Sequence, residues 1–154
     1  MTTSIAPKDI ISNSTILYFG YGSNLWLQQM AVRCPGSTFV GIDRLRNYRW
    51  MINERGSANL VPLDPSTDFQ NGRAHVWGMV YTLTKSDEAR LDRNEGVPFN
   101  HTKELHYIEF WPNDTDNVDK KIDISAVPEK KGMLLYIDCK GTKDDKPREE
   151  YIYR

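Results

Sequence analysis

No stretch of this 154-residue chain approaches the roughly 18 apolar residues that a membrane-spanning helix needs, and its first residues lack a basic segment leading into an apolar run. A spanning helix and a secretory leader are therefore not expected, and the chain reads as cytoplasmic. The glycosylation pattern at Asn13-Ser14-Thr15, Asn100-His101-Thr102 and Asn113-Asp114-Thr115 carries no weight in such a compartment. Cysteine is scarce as well. Cys34 and Cys139 stand alone and far apart in a chain expected to stay reduced, which favours buried thiols over a disulfide.

An excess of one charge is also missing. The net charge is −1, and Lys120, Lys121, Lys130, Lys131 and Lys146 alternate with Asp114, Asp116, Asp119, Asp123, Asp144 and Asp145. Opposite signs cancel locally, so no polyanion is implied as a partner. Arg44, Arg46, Tyr48, Arg49 and Trp50 interleave cations with aromatics, but one polar face of a strand explains them and no nucleic-acid partner is expected. The histidines at 75, 101 and 106 have no metal-ligand spacing and no nearby cysteine in sequence, so no metal is expected. No third glycine stands where Leu25 is, and no Lys-Ser or Lys-Thr pair completes a phosphate loop. No Gly-x-Ser-x-Gly elbow surrounds Ser23, so its backbone rather than its hydroxyl is the expected contributor.

What is present is a junction. Ile16-Leu17-Tyr18-Phe19-Gly20-Tyr21-Gly22-Ser23-Asn24-Leu25 runs from an apolar strand through glycines into the start of a helix. Gly22 is expected at positive φ and Asn24 as the helix cap, an arrangement that gathers backbone N–H groups into a seat for a carboxylate or oxyanion. The structural alternative is a tight connection in which Asn24 merely caps.

The rest of the chain, 39% hydrophobic, is the size of one domain able to bury about two thirds of its unfolded surface. Residues 1–13 read as a flexible arm and 14–154 as one domain. Leu25, Leu27, Met30 and Ala31 are expected to give one apolar face to a short helix ended by Cys34-Pro35-Gly36. Strands are expected over 38–52, 58–62, 74–83, 106–111, 122–124 and 133–139, with a turn-rich loop over 64–72. Thr84 and Ser86 offer caps and Gly96 suits the C′ position, so 86–95 is expected to be helical. Pro147 looks like the first position of a closing helix. The pattern predicts a strand-rich α/β (α+β) domain, a mixed sheet curling into a small barrel with short flanking helices.

Glu95 falls at the end of the predicted helix, where the dipole disfavours a second negative charge. Burial there would raise its proton affinity toward that of a general base, whereas a solvated surface glutamate is the bland alternative.

Tyr-Phe-Gly-Tyr-Gly-Ser-Asn-Leu resembles the signature loop of the γ-glutamylcyclotransferase family, with Gly20 at its variable position. Val76-Trp77-Gly78 and Leu91-Asp92-Arg93-Asn94-Glu95-Gly96-Val97 resemble the strand and the segment that carries the family's catalytic glutamate. The resemblance implies a γ-glutamylcyclotransferase-like fold and conversion of a γ-glutamyl compound to 5-oxoproline and a free amine, with no cofactor. It implies Glu95 as the catalytic base, and Tyr18, Phe19, Gly20, Tyr21, Gly22 and Ser23 as substrate-binding. Tyr151 resembles a tyrosine of the family's closing segment that reaches the substrate. The chain stops at Arg154, where relatives continue into another helix. A small-molecule γ-glutamyl substrate is the implied partner, with the protein a monomer or homodimer. The loop around Trp26 and the region 100–119 look most like fungal members, some acting on glutathione-derived intermediates of gliotoxin-type secondary metabolism. The competing reading is a non-catalytic module that binds γ-glutamyl metabolites.

Overall fold

The computed structural model describes residues 15–25, 27–63, 75–113 and 122–143. Strand β1 (Thr15–Gly20) leads through Tyr21 and Gly22 into a single 3-10 turn (Ser23–Leu25) and helix α1 (Leu27–Arg33). Strands β2 (Thr38–Arg46), β3 (Tyr48–Ile52), β4 (Ala58–Pro62) and β5 (His75–Thr84) follow, then helix α2 (Lys85–Asn94) and strands β6 (Thr102–Pro112) and β7 (Glu129–Ile137). Five of the strands close into a barrel in the order β1-β5-β2-β6-β7, sealed where Tyr18 of β1 meets Leu134 of β7 in parallel. Closure leaves none of these five strands with an open edge, and β3 and β4 pair apart as a two-stranded ribbon.

Strand alternation sorts side chains between two apolar clusters. Phe19, Leu45, Val76, Val80, Ile108, Phe110, Met133, Leu135 and Ile137 come from all five barrel strands and fill its interior, with Ala58 and Leu60 of the ribbon packed against them. The opposite parity of β1, β5 and β7 gives Tyr18, Tyr81, Leu83, Leu134 and Tyr136, which lie outside the barrel beneath Met30 and Cys34 of the α1 region and Leu91 of α2. The candidate site sits on this outer cluster.

Two backbone features shape the wall. The expected strand over 38–52 is two strands, because Asn47 takes φ +68° and turns the chain out of the barrel into the ribbon. The pairing of β2 with β5 shifts register between Phe39 and Gly41, a bulge at which a Cβ on residue 41 would meet the Trp111 carbonyl oxygen at 2.3 Å. The ribbon is tied down by Asn59, whose amide donates to the carbonyls of Asp138 and Gly141 at 2.8 Å each while its oxygen accepts the Asp138 N–H at 3.0 Å.

Helix α2 begins with a reciprocal cap. Thr84 accepts the Asp87 N–H at 3.1 Å, and the Asp87 carboxylate accepts the Thr84 N–H at 3.3 Å. It ends with Gly96 at φ +65°, the Gly96 N–H on the Arg93 carbonyl and the Val97 N–H on that of Asp92, which satisfies two terminal carbonyls. Glu95 is its C-cap.

Several expectations are corrected. Residues 122–124 form no strand: Asp123 instead accepts the N–H and hydroxyl of Ser125 in a turn. Of the four residues expected to form the apolar face of α1, only Met30 is buried, because the helix is short and Leu25, Leu27 and Ala31 turn outward. Both cysteines are free, but only Cys34 is buried; Cys139 follows the end of β7 and is exposed. The arm over 1–13, the loop over 64–72, Tyr151 and the helix expected from Pro147 lie outside the described residues. Among the described residues no helix is long and apolar enough to cross a membrane.

Candidate functional site

The junction after β1 is held by side chains rather than by helix capping. Asn24 is buried and does not cap: its amide nitrogen donates to the Tyr18 hydroxyl at 2.8 Å, its amide oxygen accepts from Arg33 at 2.9 Å, and its carbonyl accepts from the Tyr81 hydroxyl at 2.9 Å. The cap expectation fails because α1 starts only at Leu27, after the Leu25 N–H has closed the 3-10 turn on the Gly22 carbonyl. Gly22 is not at positive φ either; the described glycines in that region are Gly41, Gly56 and Gly96. Close packing explains Gly20 better, since a Cβ there would sit 3.2 Å from the Asn24 carbonyl oxygen.

The side chains of the signature segment divide by strand parity. Phe19 and Tyr21 pack edge to face inside the barrel, with ring centroids 6.0 Å apart, so any ligand contact from these two comes through backbone. Tyr21 is further fixed by its hydroxyl, which donates to the Tyr136 carbonyl, and by its own carbonyl, which accepts the Trp50 indole N–H at 2.8 Å. Tyr18 faces the other way, into the outer cluster, with its ring 5.9 Å from that of Tyr136.

Glu95 arrives at this surface from α2. The helix is anchored to the barrel by Asp92, which accepts the Tyr136 hydroxyl at 2.7 Å, and by Lys103 of β6, whose ammonium reaches Asp92 and Glu88. Burial pushes the Glu95 carboxyl above the usual glutamate range, opposed by the charges of His101 and Arg33. The same carboxylate, second to burial itself, pushes the Tyr18 phenol up, so Glu95 and Tyr18 share one electrostatic environment. Arg33 at the end of α1 acts electrostatically on both groups while bonding Asn24. The structure thus brings Tyr18, Asn24, Arg33, Glu95 and His101 together from β1, the 3-10 turn, α1 and the two ends of the turn beyond α2. A carboxyl of raised proton affinity beside a cation and a phenol is able to take and return a proton.

Arg33 and His101 are the members that the sequence did not single out for this site. By sequence His101 stands only as a metal-ligand candidate; the signal for this site is its place just past a helix that ends in glycine, where the chain doubles back. A second unannounced group is Asp43, on the inward parity of β2 between Gly41 and Leu45. It is fully buried, and neither carboxylate oxygen has a hydrogen-bond partner among the described residues. Burial pushes it up to about 8; the N–H groups of Asp43 and Gly78 lie close enough to favour the anion somewhat, but neither is aligned as a hydrogen bond.

This barrel with its two helices is the γ-glutamylcyclotransferase-like fold. A solved structure described as a gamma-glutamyl cyclotransferase superposes with a TM-score of 0.60 over 89% of this chain and 73% of its own, at 20% identity. An AIG2-like protein of Mus musculus gives 0.56 over 90% of this chain and 83% of its own, at 13% identity. In sequence, the chain is 34% identical to the γ-glutamylcyclotransferase of Mus musculus over 90 residues, 54% of this chain and 45% of that one. The Homo sapiens γ-glutamylcyclotransferase is 34% identical over 94 residues, 58% of this chain and 50% of that one. The chain spans about half the length of these curated relatives. No protein-family model matches it.

Proposed function

We propose that this protein is a γ-glutamylcyclotransferase, converting a γ-glutamyl amino acid, γ-glutamyl peptide or glutathione-derived conjugate to 5-oxoproline and a free amine. The observation that carries the reading is Glu95, a carboxyl of raised proton affinity at the end of α2, beside the Tyr18-to-Asn24 junction and within the field of Arg33. The likeness in sequence to enzymes of that name supports it.

The reaction is intramolecular and needs no protein nucleophile. Glu95 takes a proton from the substrate's α-ammonium: an N–H bond breaks and an O–H bond forms. The freed amine then attacks the γ-carbonyl carbon, closing a five-membered ring and placing negative charge on the carbonyl oxygen. As that charge returns, the bond to the departing nitrogen breaks, Glu95 gives its proton to that nitrogen, and the ring nitrogen, cationic after the attack, passes its second proton to the departing amine, which leaves as the ammonium. Backbone N–H groups over residues 20–23 hold the substrate's α-carboxylate or the developing oxyanion, with Arg33 adding positive potential. Substrate binding also falls to Tyr18 and, by the likeness of its sequence segment alone, to Tyr151. Folding the glutamyl arm into an attack-ready shape lowers the barrier further. A leaving amine derived from glutathione in sulfur-containing secondary metabolism and a cytoplasmic location complete the proposal.

Incubating the protein with γ-glutamyl amino acids, glutathione and glutathione conjugates, and following 5-oxoproline by mass spectrometry, tests the reading. Formation of 5-oxoproline from at least one compound is expected. Saturable binding of these compounds with no 5-oxoproline from any would make the protein a γ-glutamyl-binding module instead.

A further inference from the structure

Beyond α2 the chain turns back on itself, the Asn100 N–H closing on the Gly96 carbonyl at 2.8 Å, and this places His101 over the helix end. Its Nδ1 lies 2.8 Å from the carbonyl oxygen of Glu95, and its Nε2 lies 3.5 Å from Oε2 of the same residue. One imidazole therefore grips Glu95 at both its backbone and its carboxyl. Because a carbonyl oxygen only accepts, Nδ1 carries a hydrogen and the tautomer is set. The atom facing the carboxyl is then Nε2, and a bare lone pair against a carboxylate would repel. The pair is consequently stable when it holds one proton, on the imidazole or on the carboxyl.

From this geometry we infer that His101 is a positioning residue for the proton transfer: it fixes the Glu95 carboxyl through Oε2, turns Oε1 toward the substrate, and holds the carboxyl as an anion until the substrate's ammonium arrives. The inference rests on the cyclotransferase reading of the same site. The other groups that face Glu95 are Arg33 from α1, which favours the anion, and Tyr18 from β1, which is neutral; Lys103 directs its ammonium to Glu88 and Asp92. Arg33 also bonds the Asn24 amide, and the His101 ring meets the carboxyl through Nε2. The proton inventory balances: one proton stays in the pair, one travels from the ammonium through Oε1 to the departing nitrogen, and the ring nitrogen's second proton follows to that amine, which leaves as the ammonium.

Two measurements on the full chain test this. In the parent protein, nitrogen NMR of His101 is expected to show hydrogen on Nδ1 in the neutral ring; a neutral ring protonated at Nε2 would overturn the inference. In His101→Asn, the shorter amide retains a donor for the Glu95 carbonyl and loses the ring nitrogen that meets the carboxyl. The Glu95 side-chain carboxyl, followed by carbon NMR, is then expected to titrate at least about one pH unit higher than in the parent, the low end of what a nearby opposite charge does. The low-pH limb of kcat/KM is expected to move with it. An unchanged Glu95 midpoint in folded His101→Asn refutes the inference while leaving the cyclotransferase reading standing. A shifted midpoint in a protein that makes no 5-oxoproline keeps the Glu95–His101 pairing, and it is the cyclotransferase reading that fails.

Discussion

The amide of Asn24 donates to the hydroxyl of Tyr18 at 2.8 Å, joining the turn to the strand that precedes it by six residues. This bond decides how the junction works. An asparagine expected to cap a helix instead spans the gap between β1 and α1, with Arg33 on its oxygen and Tyr81 on its carbonyl. The Tyr18 hydroxyl accepts one hydrogen there, and a phenol also carries one to donate.

Replacing Tyr18 with Phe removes the acceptor and leaves a buried amide hydrogen unpaired, which costs about 1–3 kcal/mol. Urea melts are expected to show that loss. A change of only a few tenths would mean that Asn24 is satisfied another way and the junction is not held by this bond.

Substituting Glu95 by Gln preserves shape and deletes the titrating group, so 5-oxoproline turnover is expected to fall by at least about a hundredfold, the low end for general acid–base catalysis. Folding survives, because the anion is the form that burial disfavours and its removal relieves that penalty. A folded variant with near-parental turnover would take Glu95 out of the chemistry.

The base works as its anion. Since burial raises the Glu95 carboxyl above the free value of about 4.3, activity is expected to rise with pH through a midpoint above that value. The profile of kcat/KM is read with a substrate that does not titrate in the window and with chemistry limiting, because slow product release would flatten it. A limb centred at or below about 4.3, or one that persists in Glu95→Gln, contradicts the assignment.

Asp43 predicts a second pH effect, on stability alone. Its folded-state value lies at about 8 and its unfolded value near about 3.9, so the carboxyl is neutral in the barrel at pH 7 and charged in the unfolded chain. The stability tied to the neutral form is whole below the unfolded value and is lost as pH rises toward the folded one, at a slope of about 1.4 kcal/mol per pH unit. Asp43→Asn, which does not titrate, is expected to lack this decline, so the parent loses ground to it steadily from acid to neutral pH. Parallel stability curves for the two proteins would show that Asp43 ionises in both states alike.

Local interactions made parts of this protein legible from sequence. Thr84, Asp87 and Gly96 start and stop α2 through contacts within four residues, so its ends are readable to within one position. Strand β1 was readable for the same reason, and with the glycine segment after it carried the resemblance that the fold bears out, although the bends of that segment were not those expected. Ile122 and Ile124 misled because two apolar residues alternate there by chance, in a turn set by Asp123. Tertiary structure decided the rest. The break at Asn47, the bulge at Gly41 and the parallel seam between Tyr18 and Leu134 depend on partners far along the chain, and together they close the barrel. Only that closure turns Asp43 inward, brings Arg33 beside Glu95, and diverts the Asn24 side chain to Tyr18. Composition and spacing specify which groups exist and how each short segment bends. Which of them meet, and in what dielectric, is set by long-range pairing, and that pairing fixes the proton affinity of Glu95.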